Sequence, residues 1–302
     1  MTRILVTGGT GFIGRHALPP LIAAGHEVHV IGRTAPATAE AHAGPGRIIH
    51  HRADLLGPDL PAVVHSIAAE ACLHLAWDVS PGFWTTPANL DWTAATLTLL
   101  RAFHQAGGRR FVSAGTCAEY DWTTPADALR EDSARAPSTL YGAAKDATRR
   151  LIEAYAGACG LSSAWGVLFF SFGAGERPER LVPSLTDALL AGREAPATAG
   201  TQIRDLLDSR DQGAAFAALL TSGVEGAVNI GSGQPVALHA VMTLIGTLTG
   251  RPDLLRIGAL PMRPGEPPRL VADITRLHHE VGFTPAHTLQ QGLTDLIAGR
   301  RG

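Results

Sequence analysis

A tyrosine and a lysine four residues apart, Tyr141 and Lys145, are the pair in this sequence with the clearest chemical use. In a helix, residues at this spacing lie on one face, one turn apart. An ammonium group beside a phenol stabilises the phenolate and lowers the pKa of the phenol from its reference value of about 10. The pair therefore predicts a tyrosine that donates and accepts protons near neutral pH.

A hydroxyl side chain lies upstream of this pair, in the segment Ser113-Ala114-Gly115-Thr116-Cys117. Thr116 can hydrogen-bond a substrate oxygen while Tyr141 moves the proton, and Ser113 is the alternative for this role. We favour Thr116 because it lies nearer the carboxyl end of the predicted strand, where open α/β sheets bind their ligands. Nothing in the sequence supplies Cys117 with a base, so we interpret it as a packing residue.

A glycine-rich loop, Gly8-Gly9-Thr10-Gly11-Phe12-Ile13-Gly14, follows a predicted strand at residues 4–6 and opens a helix. We expect this helix to be interrupted at Pro19-Pro20, and a second strand to follow at residues 28–31. Such glycines let backbone N–H groups approach a pyrophosphate at the positive end of a helix. The loop predicts a dinucleotide site with contacts from Gly8, Gly11, Phe12, Ile13 and Gly14.

The end of the second predicted strand indicates which dinucleotide is bound. Proteins that bind NAD usually place an acidic residue there to accept a hydrogen bond from the ribose 2′-hydroxyl. Here the position is Gly32, followed by Arg33. Glycine leaves room for a 2′-phosphate and Arg33 can pair with it through charge-assisted hydrogen bonds. We therefore predict a preference for NADP(H), with NAD(H) as the alternative cofactor.

The pattern of strands and helices predicts an α/β fold, a Rossmann-type doubly wound parallel sheet with a smaller, irregular α/β C-terminal substrate-binding lobe. Residues 1–165 are expected to form the dinucleotide-binding domain, together with a returning segment near 205–232. Residues 166–302 are expected to form mainly the substrate-binding lobe, because Pro and Gly interrupt the pattern after residue 172. The predicted strands lie at residues 4–6, 28–31, 47–50, 71–75, 164–170 and 228–230, and a further strand, the fifth along the chain, begins with residues 110–113.

Composition excludes several function classes. The chain has 302 residues, of which 45% are hydrophobic, and its net charge of −2 provides no basic surface for nucleic acid. Three scattered cysteines lack metal-ligand spacing, so we expect no metal site and a reducing compartment. No apolar run approaches the roughly 20 residues that span a bilayer. Because Met1 leads directly into a strand, we expect a cytoplasmic protein without a signal peptide or membrane partner.

These motifs resemble the extended short-chain dehydrogenase/reductase family, in its group of NAD(P)-dependent nucleotide-sugar epimerases, dehydratases and reductases. The resemblance covers almost the whole chain and implies a nucleotide-sugar substrate and a homodimer that pairs the helices near 89–106 and 141–158. It is carried by the glycine loop, Asp54-Leu55, His74-Leu75-Ala76, Asn89, Thr116, Tyr141 with Lys145, Arg204-Asp205-Leu206, Asn229-Ile230-Gly231-Ser232-Gly233 and Arg263-Pro264-Gly265-Glu266.

The resemblance also implies roles for individual residues. The expected catalytic residues are Thr116, Tyr141 and Lys145. Besides the glycine loop and Arg33, the expected cofactor contacts are Asp54, Leu55, Leu75, Ala76, Tyr141 and Lys145. The expected substrate contacts are Thr116, Arg180, Val182, Arg204 and Arg263. Of these, Arg204 and Arg263 match the two arginines that hold the diphosphate in the family, where planar guanidinium groups suit phosphate oxygens.

Three features depart from the family pattern or have two interpretations. Val167 and Phe170 stand where the family often has an arginine and an asparagine, and the segment 204–208 lacks a histidine often found near its end. The aromatic segment 77–84 either roofs the sugar or packs its own loop. The nucleotide, the sugar and the stereochemistry of the product are therefore left open.

Three reactions compete within the family, and a further class lies outside catalysis. Dehydratases usually follow the catalytic threonine with an Asp-Glu pair, and Cys117-Ala118 fills those positions here, which disfavours dehydration. The NADP(H) signal favours a ketoreductase that reduces a keto-deoxyhexose linked to a nucleoside diphosphate. The alternative is a nucleotide-sugar 4-epimerase. A non-catalytic NADP(H)-binding regulator is the alternative of another class, although such proteins commonly lose the Tyr/Lys pair.

Overall fold

The computed structural model describes residues 1–36, 45–262 and 264–301. Within these residues, one sheet contains the strands β1 (Arg3–Thr7), β2 (Glu27–Gly32), β3 (Arg47–Arg52), β4 (Ala71–His74), β5 (Arg110–Thr116), β6 (Ser162–Leu168) and β10 (Gly226–Ile230). Their order across the sheet is β10-β6-β5-β4-β1-β2-β3, and every neighbouring pair is parallel. The direction of winding reverses between β1 and β4, which is the switch point where such sheets bind ligands.

Helices cover both faces of this sheet. On one face α1 (Gly14–Ala23) packs against α6 (Ser209–Thr221). On the other face α2 (Leu60–Ile67), α3 (Ala88–Gln105) and α4 (Leu140–Cys159) pack side by side. Each face has its own hydrophobic core. Strands buried on both faces explain the continuous apolar runs, such as Ile4-Leu5-Val6, that the sequence shows.

The predicted interruption of the first helix is wrong. Helix α1 continues through Pro19 and Pro20. The two prolines remove the N–H donors that would bond the carbonyls one turn earlier, but they leave the helical φ angle intact. Leu18, Leu21 and Ile22 are buried on the helix face that meets the sheet, so packing maintains the helix.

A second lobe follows the sixth strand of the sheet. It contains β7 (Phe170–Phe172), β8 (Ala195–Ala197), β9 (Ile203–Asp208), β11 (Pro235–Ala237), β12 (Leu255–Ile257) and β13 (Arg269–Leu270), with helices α5 (Leu181–Leu190), α7 (Leu238–Thr249) and α9 (Leu289–Arg301). Helix α8 (Thr275–His279) instead packs against β10 of the large sheet. Strands β7, β9, β11 and β13 form one small sheet, and β8 pairs with β12. The Rossmann-type doubly wound fold expected from the sequence is confirmed.

The chain changes sheets earlier than the sequence indicated. A single strand was expected over residues 164–170, but β6 ends at Leu168 and β7 begins at Phe170 in the small sheet, where it pairs with β9. Strand β10 then returns to the edge of the large sheet beside β6. This arrangement brings β9, which contains Arg204, close to the carboxyl end of the large sheet.

Two further structural findings bear on the expectations from composition. In the part of the chain that the structure describes, no helix combines the length and the apolar character needed to cross a bilayer. The same residues contain no group of three or more His, Cys, Asp or Glu side chains placed to hold a metal ion. Cys72 and Cys117 are buried, and Cys159 is exposed.

Candidate active site

The glycine loop is packed so closely against the segment after β4 and against itself that side chains are excluded at Gly8 and Gly14. Gly8 has φ +72°, and a Cβ at this residue would lie 2.6 Å from the amide nitrogen of Ala76. A Cβ at Gly14 would overlap the carbonyl oxygen of Gly8. The Gly11 amide closes the turn by donating to the Gly8 carbonyl at 2.9 Å. The loop therefore presents bare backbone at the start of α1, which fits the pyrophosphate of a dinucleotide.

The residues predicted at the adenosine end surround the carboxyl ends of β2 and β3. Gly32 ends β2, and the Arg33 side chain after it is exposed. Asp54 is exposed and accepts a hydrogen bond from the Leu56 amide at 3.0 Å, while Leu55 is buried. An exposed guanidinium group beside a glycine has space to meet a phosphate. These contacts with the cofactor remain predictions.

The catalytic candidates lie together at the carboxyl end of β5. Thr116 is the last residue of that strand, and Thr139 begins α4 by accepting a hydrogen bond from the Gly142 amide at 3.1 Å. This cap places Tyr141 and Lys145 in the first two turns of the helix. Thr116, Tyr141 and Lys145 are all buried. The two residues that the spacing placed on one helix face both contact Trp77, and the Tyr141 phenol lies beside the Thr116 hydroxyl.

The pKa of the Tyr141 phenol differs from the expectation. Burial raises this pKa above its ordinary value, and the neighbouring Thr116 hydroxyl opposes that rise. The expected net lowering of the Tyr141 pKa is therefore wrong for this structure, because the loss of hydration outweighs the favourable contacts. Burial also lowers the pKa of Lys145 to about 7, although the nearby Glu119 carboxyl acts in the opposite direction.

Aromatic rings surround Tyr141, and we call Trp77, Phe83 and Trp84 the aromatic enclosure. Their ring centroids lie 6.4, 4.9 and 5.7 Å from that of Tyr141, all with edge-to-face geometry. The buried Asn89 ties the enclosure together, because it accepts from Trp77 Nε1 at 2.9 Å and donates to the Phe83 carbonyl at 2.7 Å. The segment 77–84 thus forms a wall beside the phenol, and its aromatic side chains are not splayed into solvent.

The predicted substrate contacts are not all open to a ligand. Arg204 is only 3% exposed, donates to Glu266 at 3.0 Å and lies over the Phe170 ring at 5.2 Å. Val182 is buried in the core of the second lobe. Arg180 is half-exposed at the start of α5. Their roles with substrate remain predictions.

The remaining member of the predicted substrate set, Arg263, lies outside the described residues. Its motif continues with Glu266, which is described and which accepts from both Gln202, at 2.8 Å, and Arg204. Glu266, the last residue of this motif, therefore lies next to Arg204.

One residue of the site was missed by the sequence analysis. Glu119 is completely buried and accepts from the backbone amide of Thr116 at 2.8 Å, while the Thr116 hydroxyl accepts from the Ala118 amide at 3.2 Å. Burial raises the pKa of Glu119 to about 7, although the Thr116 amide and Trp165 oppose the rise. The signal was present in the sequence, because a threonine followed three residues later by glutamate is a capping box.

Comparisons with known proteins agree with this geometry. The model of the NAD dependent epimerase/dehydratase family matches residues 4–231. A UDP-glucose 4-epimerase from Corynebacterium glutamicum is 29% identical over 95% of this chain and 92% of its own length. A dTDP-6-deoxy-L-talose 4-dehydrogenase (NAD(P)(+)) from Kitasatospora kifunensis is 28% identical over 97% and 94%. The structure of MoeE5 in complex with UDP-glucose and NAD has a TM-score of 0.82 and 30% identity over 99% and 98%.

The matched family segment covers the glycine loop, Thr116, the Tyr141–Lys145 pair and Arg204, all of which the fold brings to the carboxyl edge of the large sheet. Each match covers nearly the full length of both proteins, so the similarity extends into the second lobe. The chain therefore belongs to the NAD-dependent epimerase/dehydratase family, within the extended short-chain dehydrogenase/reductases.

Proposed function

We propose that this enzyme is a nucleotide-sugar 4-epimerase, which inverts the configuration at C4 of a hexose linked to a nucleoside diphosphate. The observation that carries the proposal is the buried group of Thr116, Tyr141 and Lys145, which the segment after β4 connects to the glycine loop. Gly8 lies against Ala76, and the next residue, Trp77, contacts both Tyr141 and Lys145. The similar UDP-glucose 4-epimerase supports this reaction over the ketoreductase expected from the sequence.

Each catalytic residue has a distinct task in this reaction. A bound nicotinamide dinucleotide supplies the acceptor and donor for the hydride at C4. Tyr141 removes the proton of the C4 hydroxyl and later returns a proton to the carbonyl oxygen. Thr116 hydrogen-bonds that oxygen and keeps it beside the phenol. Lys145, when protonated, offsets the charge of the tyrosinate and assists its formation.

The walls of the site suit epimerisation because the keto sugar would have to turn between its formation and its reduction to the C4 epimer. Apolar rings form few directional hydrogen bonds, so they restrain rotation of the sugar less than a polar wall does. The aromatic enclosure presents such a surface beside Tyr141. The nucleotide, held elsewhere by the diphosphate contacts, would stay bound while the sugar turns.

Dehydration is disfavoured by the residues after Thr116. Loss of water from a keto sugar needs an acid and a base near C5 and C6. Cys117 and Ala118 occupy those positions, and burial raises the pKa of the Cys117 thiol to about 12. A thiol with this pKa remains protonated at neutral pH and does not serve as a base.

A second candidate is the ketoreductase that uses NADPH. The end of β2, with Gly32 and the exposed Arg33, favours a 2′-phosphate, and NADPH is the usual donor for net reduction. The similar dTDP-6-deoxy-L-talose 4-dehydrogenase (NAD(P)(+)) carries out chemistry of this type. The retained Tyr/Lys pair disfavours the third candidate, a non-catalytic NADP(H)-binding regulator.

The proposed binding of substrate uses the arginines of the second lobe. Arg204 and Arg263 are assigned to the diphosphate, and Arg180 to the nucleotide. Glu266 now pairs with Arg204, so a diphosphate would either join this pair or replace Glu266. We further propose that residues 1–165 with the returning segment 205–232 hold the cofactor, and that the rest of 166–302 holds the substrate.

Assembly as a homodimer through α3 and α4 is also a proposal. These two helices pack side by side. Leu90 on α3 is 59% exposed and Leu151 on α4 is 49% exposed, so each helix has an apolar side chain that a second copy could cover. Replacing Leu151 with Glu should convert a dimer into a monomer in analytical ultracentrifugation.

Isotope transfer tests the proposed reaction against its alternatives. The enzyme is incubated with UDP-glucose, UDP-galactose or dTDP-glucose and catalytic NAD or NADP, and the products are followed by proton NMR. Interconversion of C4 epimers without net cofactor use supports the 4-epimerase. Deuteride transfer from labelled NADPH into a 4-keto sugar nucleotide supports the reductase instead. Tyr141→Phe should abolish either activity while leaving cofactor affinity within about 2-fold.

A further inference from the structure

A buried carboxylate lies directly beneath the catalytic threonine. Glu119 Oε1 accepts from the Thr116 amide at 2.8 Å, and Trp165 Nε1 donates to Glu119 Oε1 at 3.0 Å and to Oε2 at 3.1 Å. Glu119 is the last residue of the short 3-10 turn Cys117–Glu119 that Thr116 begins. The carboxylate therefore connects the end of β5, which carries Thr116, to the neighbouring strand β6, which carries Trp165.

The neighbouring glycine leaves space for this connection. A Cβ at Gly115 would overlap Trp165 Nε1 and would lie 2.6 Å from Glu119 Oε1. Any side chain at Gly115 would push the indole and the carboxylate apart. The packing under Thr116 is thus specific to a glycine, a glutamate and a tryptophan.

Two arginines surround the carboxylate on the side away from Thr116. Arg135 Nε and Arg149 Nε each lie 3.8 Å from Glu119 Oε2. Arg149 is itself held by Asp146, at 2.7 Å, and by Glu153, at 2.6 Å. A buried carboxylate is costly unless it is paired and hydrogen-bonded, and here both conditions are met.

The hydrogen bonds also determine whether the Thr116 hydroxyl acts as a donor or as an acceptor toward a ligand. Its oxygen accepts from the Ala118 amide at 3.2 Å. With that lone pair occupied, the O–H group can still donate, either to the Tyr141 oxygen or to a substrate oxygen beside it. Both ends of the capping box are needed for this, because Glu119 fixes the backbone of Thr116 and the turn fixes its side chain.

We infer that Glu119 is a positioning residue for catalysis, which holds the backbone of Thr116 so that its hydroxyl faces the reacting oxygen beside Tyr141. Glu119 itself contacts no substrate in this scheme and acts through Thr116. The inference rests on the proposed catalytic role of Thr116. It assigns Gly115, Glu119 and Trp165 a supporting role in the position of Thr116.

The test is a double-mutant cycle measured with whichever substrate the wild-type enzyme turns over. Glu119→Ala should lower kcat by about 10- to 100-fold and change KM by less than about 3-fold, because orientation of Thr116 is lost while substrate binding is kept. Glu119→Gln retains an acceptor for the Thr116 amide and should keep kcat within about 5-fold of the wild type. In the Thr116→Val background, Glu119→Ala should cause little further loss of kcat.

A matched control separates positioning from general loss of stability. Asp211 is another buried carboxylate, and it accepts from the Ala286 amide at 3.1 Å and from the His287 amide at 2.9 Å, away from the site. Asp211→Asn should lower Tm without lowering kcat in the folded enzyme. If Glu119→Ala does not fold, Glu119→Met takes its place in the cycle, because methionine fills about the volume of the glutamate side chain but has no carboxylate to accept from the Thr116 amide.

The outcomes distinguish failure of this inference from failure of the proposed function. If Glu119→Ala reduces kcat by the same factor with Thr116 and with Val at position 116, Glu119 acts independently of Thr116 and the inference is overturned. An unchanged kcat in Glu119→Ala overturns it as well. Failure of the wild-type enzyme to epimerise any nucleotide sugar contradicts the proposed function alone, because the cycle can be run on ketoreduction.

Discussion

The ammonium group of Lys145 lies 3.8 Å from the centre of the Trp77 indole ring, while Nζ donates to the Ala114 carbonyl at 2.9 Å. The negative face of an indole ring attracts a cation. Burial acts in the opposite direction and lowers the pKa of Lys145 to about 7. The indole ring thus stabilises the protonated form of Lys145 while burial disfavours it. The resulting pKa lies near neutral pH, where a group that takes part in proton transfer is most useful.

The Lys145 pKa predicts a dependence of stability on pH. The unfolded chain has a lysine pKa of about 10, so between pH 7 and 10 the unfolded state binds more protons at this residue than the folded state. Stability contributed by this group therefore rises with pH across that window and is lower below pH 7. Urea unfolding of the wild type and of Lys145→Met at pH 7 and 9.5 should show the larger gain in the wild type. An equal gain in both proteins contradicts the lowered pKa.

Loosening the aromatic enclosure should impair turnover. Asn89→Ala removes the partner of Trp77 Nε1 and the donor to the Phe83 carbonyl, and it leaves these partly buried groups without those bonds. We expect a stability loss of about 3 kcal/mol and a fall in kcat of about 10-fold. Tryptophan emission should shift to longer wavelength. Asp91→Asn, at an exposed position on the same helix, is the control. If both variants have the same stability, kcat and tryptophan emission, the aromatic enclosure does not contribute to turnover.

A side chain in the glycine loop should weaken cofactor binding. The Cβ of Gly14→Ala would overlap the Gly8 carbonyl and displace the loop. Dinucleotide affinity, measured by fluorescence titration, should fall by about 10-fold or more. At Gly299, within α9, a Cβ meets open space, so Gly299→Ala should leave affinity unchanged and stabilise the helix by about 0.5–1 kcal/mol. Unchanged affinity in Gly14→Ala would contradict the assignment of the loop.

The predicted preference for NADP(H) should depend on Arg33. If this side chain pairs with the 2′-phosphate, removing its guanidinium group in Arg33→Ala should weaken NADPH binding by about 10-fold. NADH binding should stay the same, because NADH has no phosphate at that position. Arg193→Ala, at an exposed position in another part of the chain, serves as the control. Tighter binding of NADH than of NADPH by the wild type would show that the predicted preference is wrong.

Short-range sequence patterns were sufficient to predict the elements whose ends are marked by particular residues. The glycine loop, the strands that carry apolar runs and the Tyr141–Lys145 spacing are all short-range features, and the structure places the pair on one helix face beside Thr116. The helix through Pro19 and Pro20 was not predictable in this way, because its buried face is held by packing against the sheet.

The sequence by itself determined the fold class and the identities of the catalytic candidates, because periodicity, turns and motif spacing act within a few residues along the chain. Only the tertiary structure decided what surrounds them. The contact of Trp77 with Lys145 and the bond from Trp165 to Glu119 join residues 68 and 46 positions apart. Burial by such distant residues also sets the pKa of Tyr141, and desolvation is a property of the packed interior that no local spacing encodes.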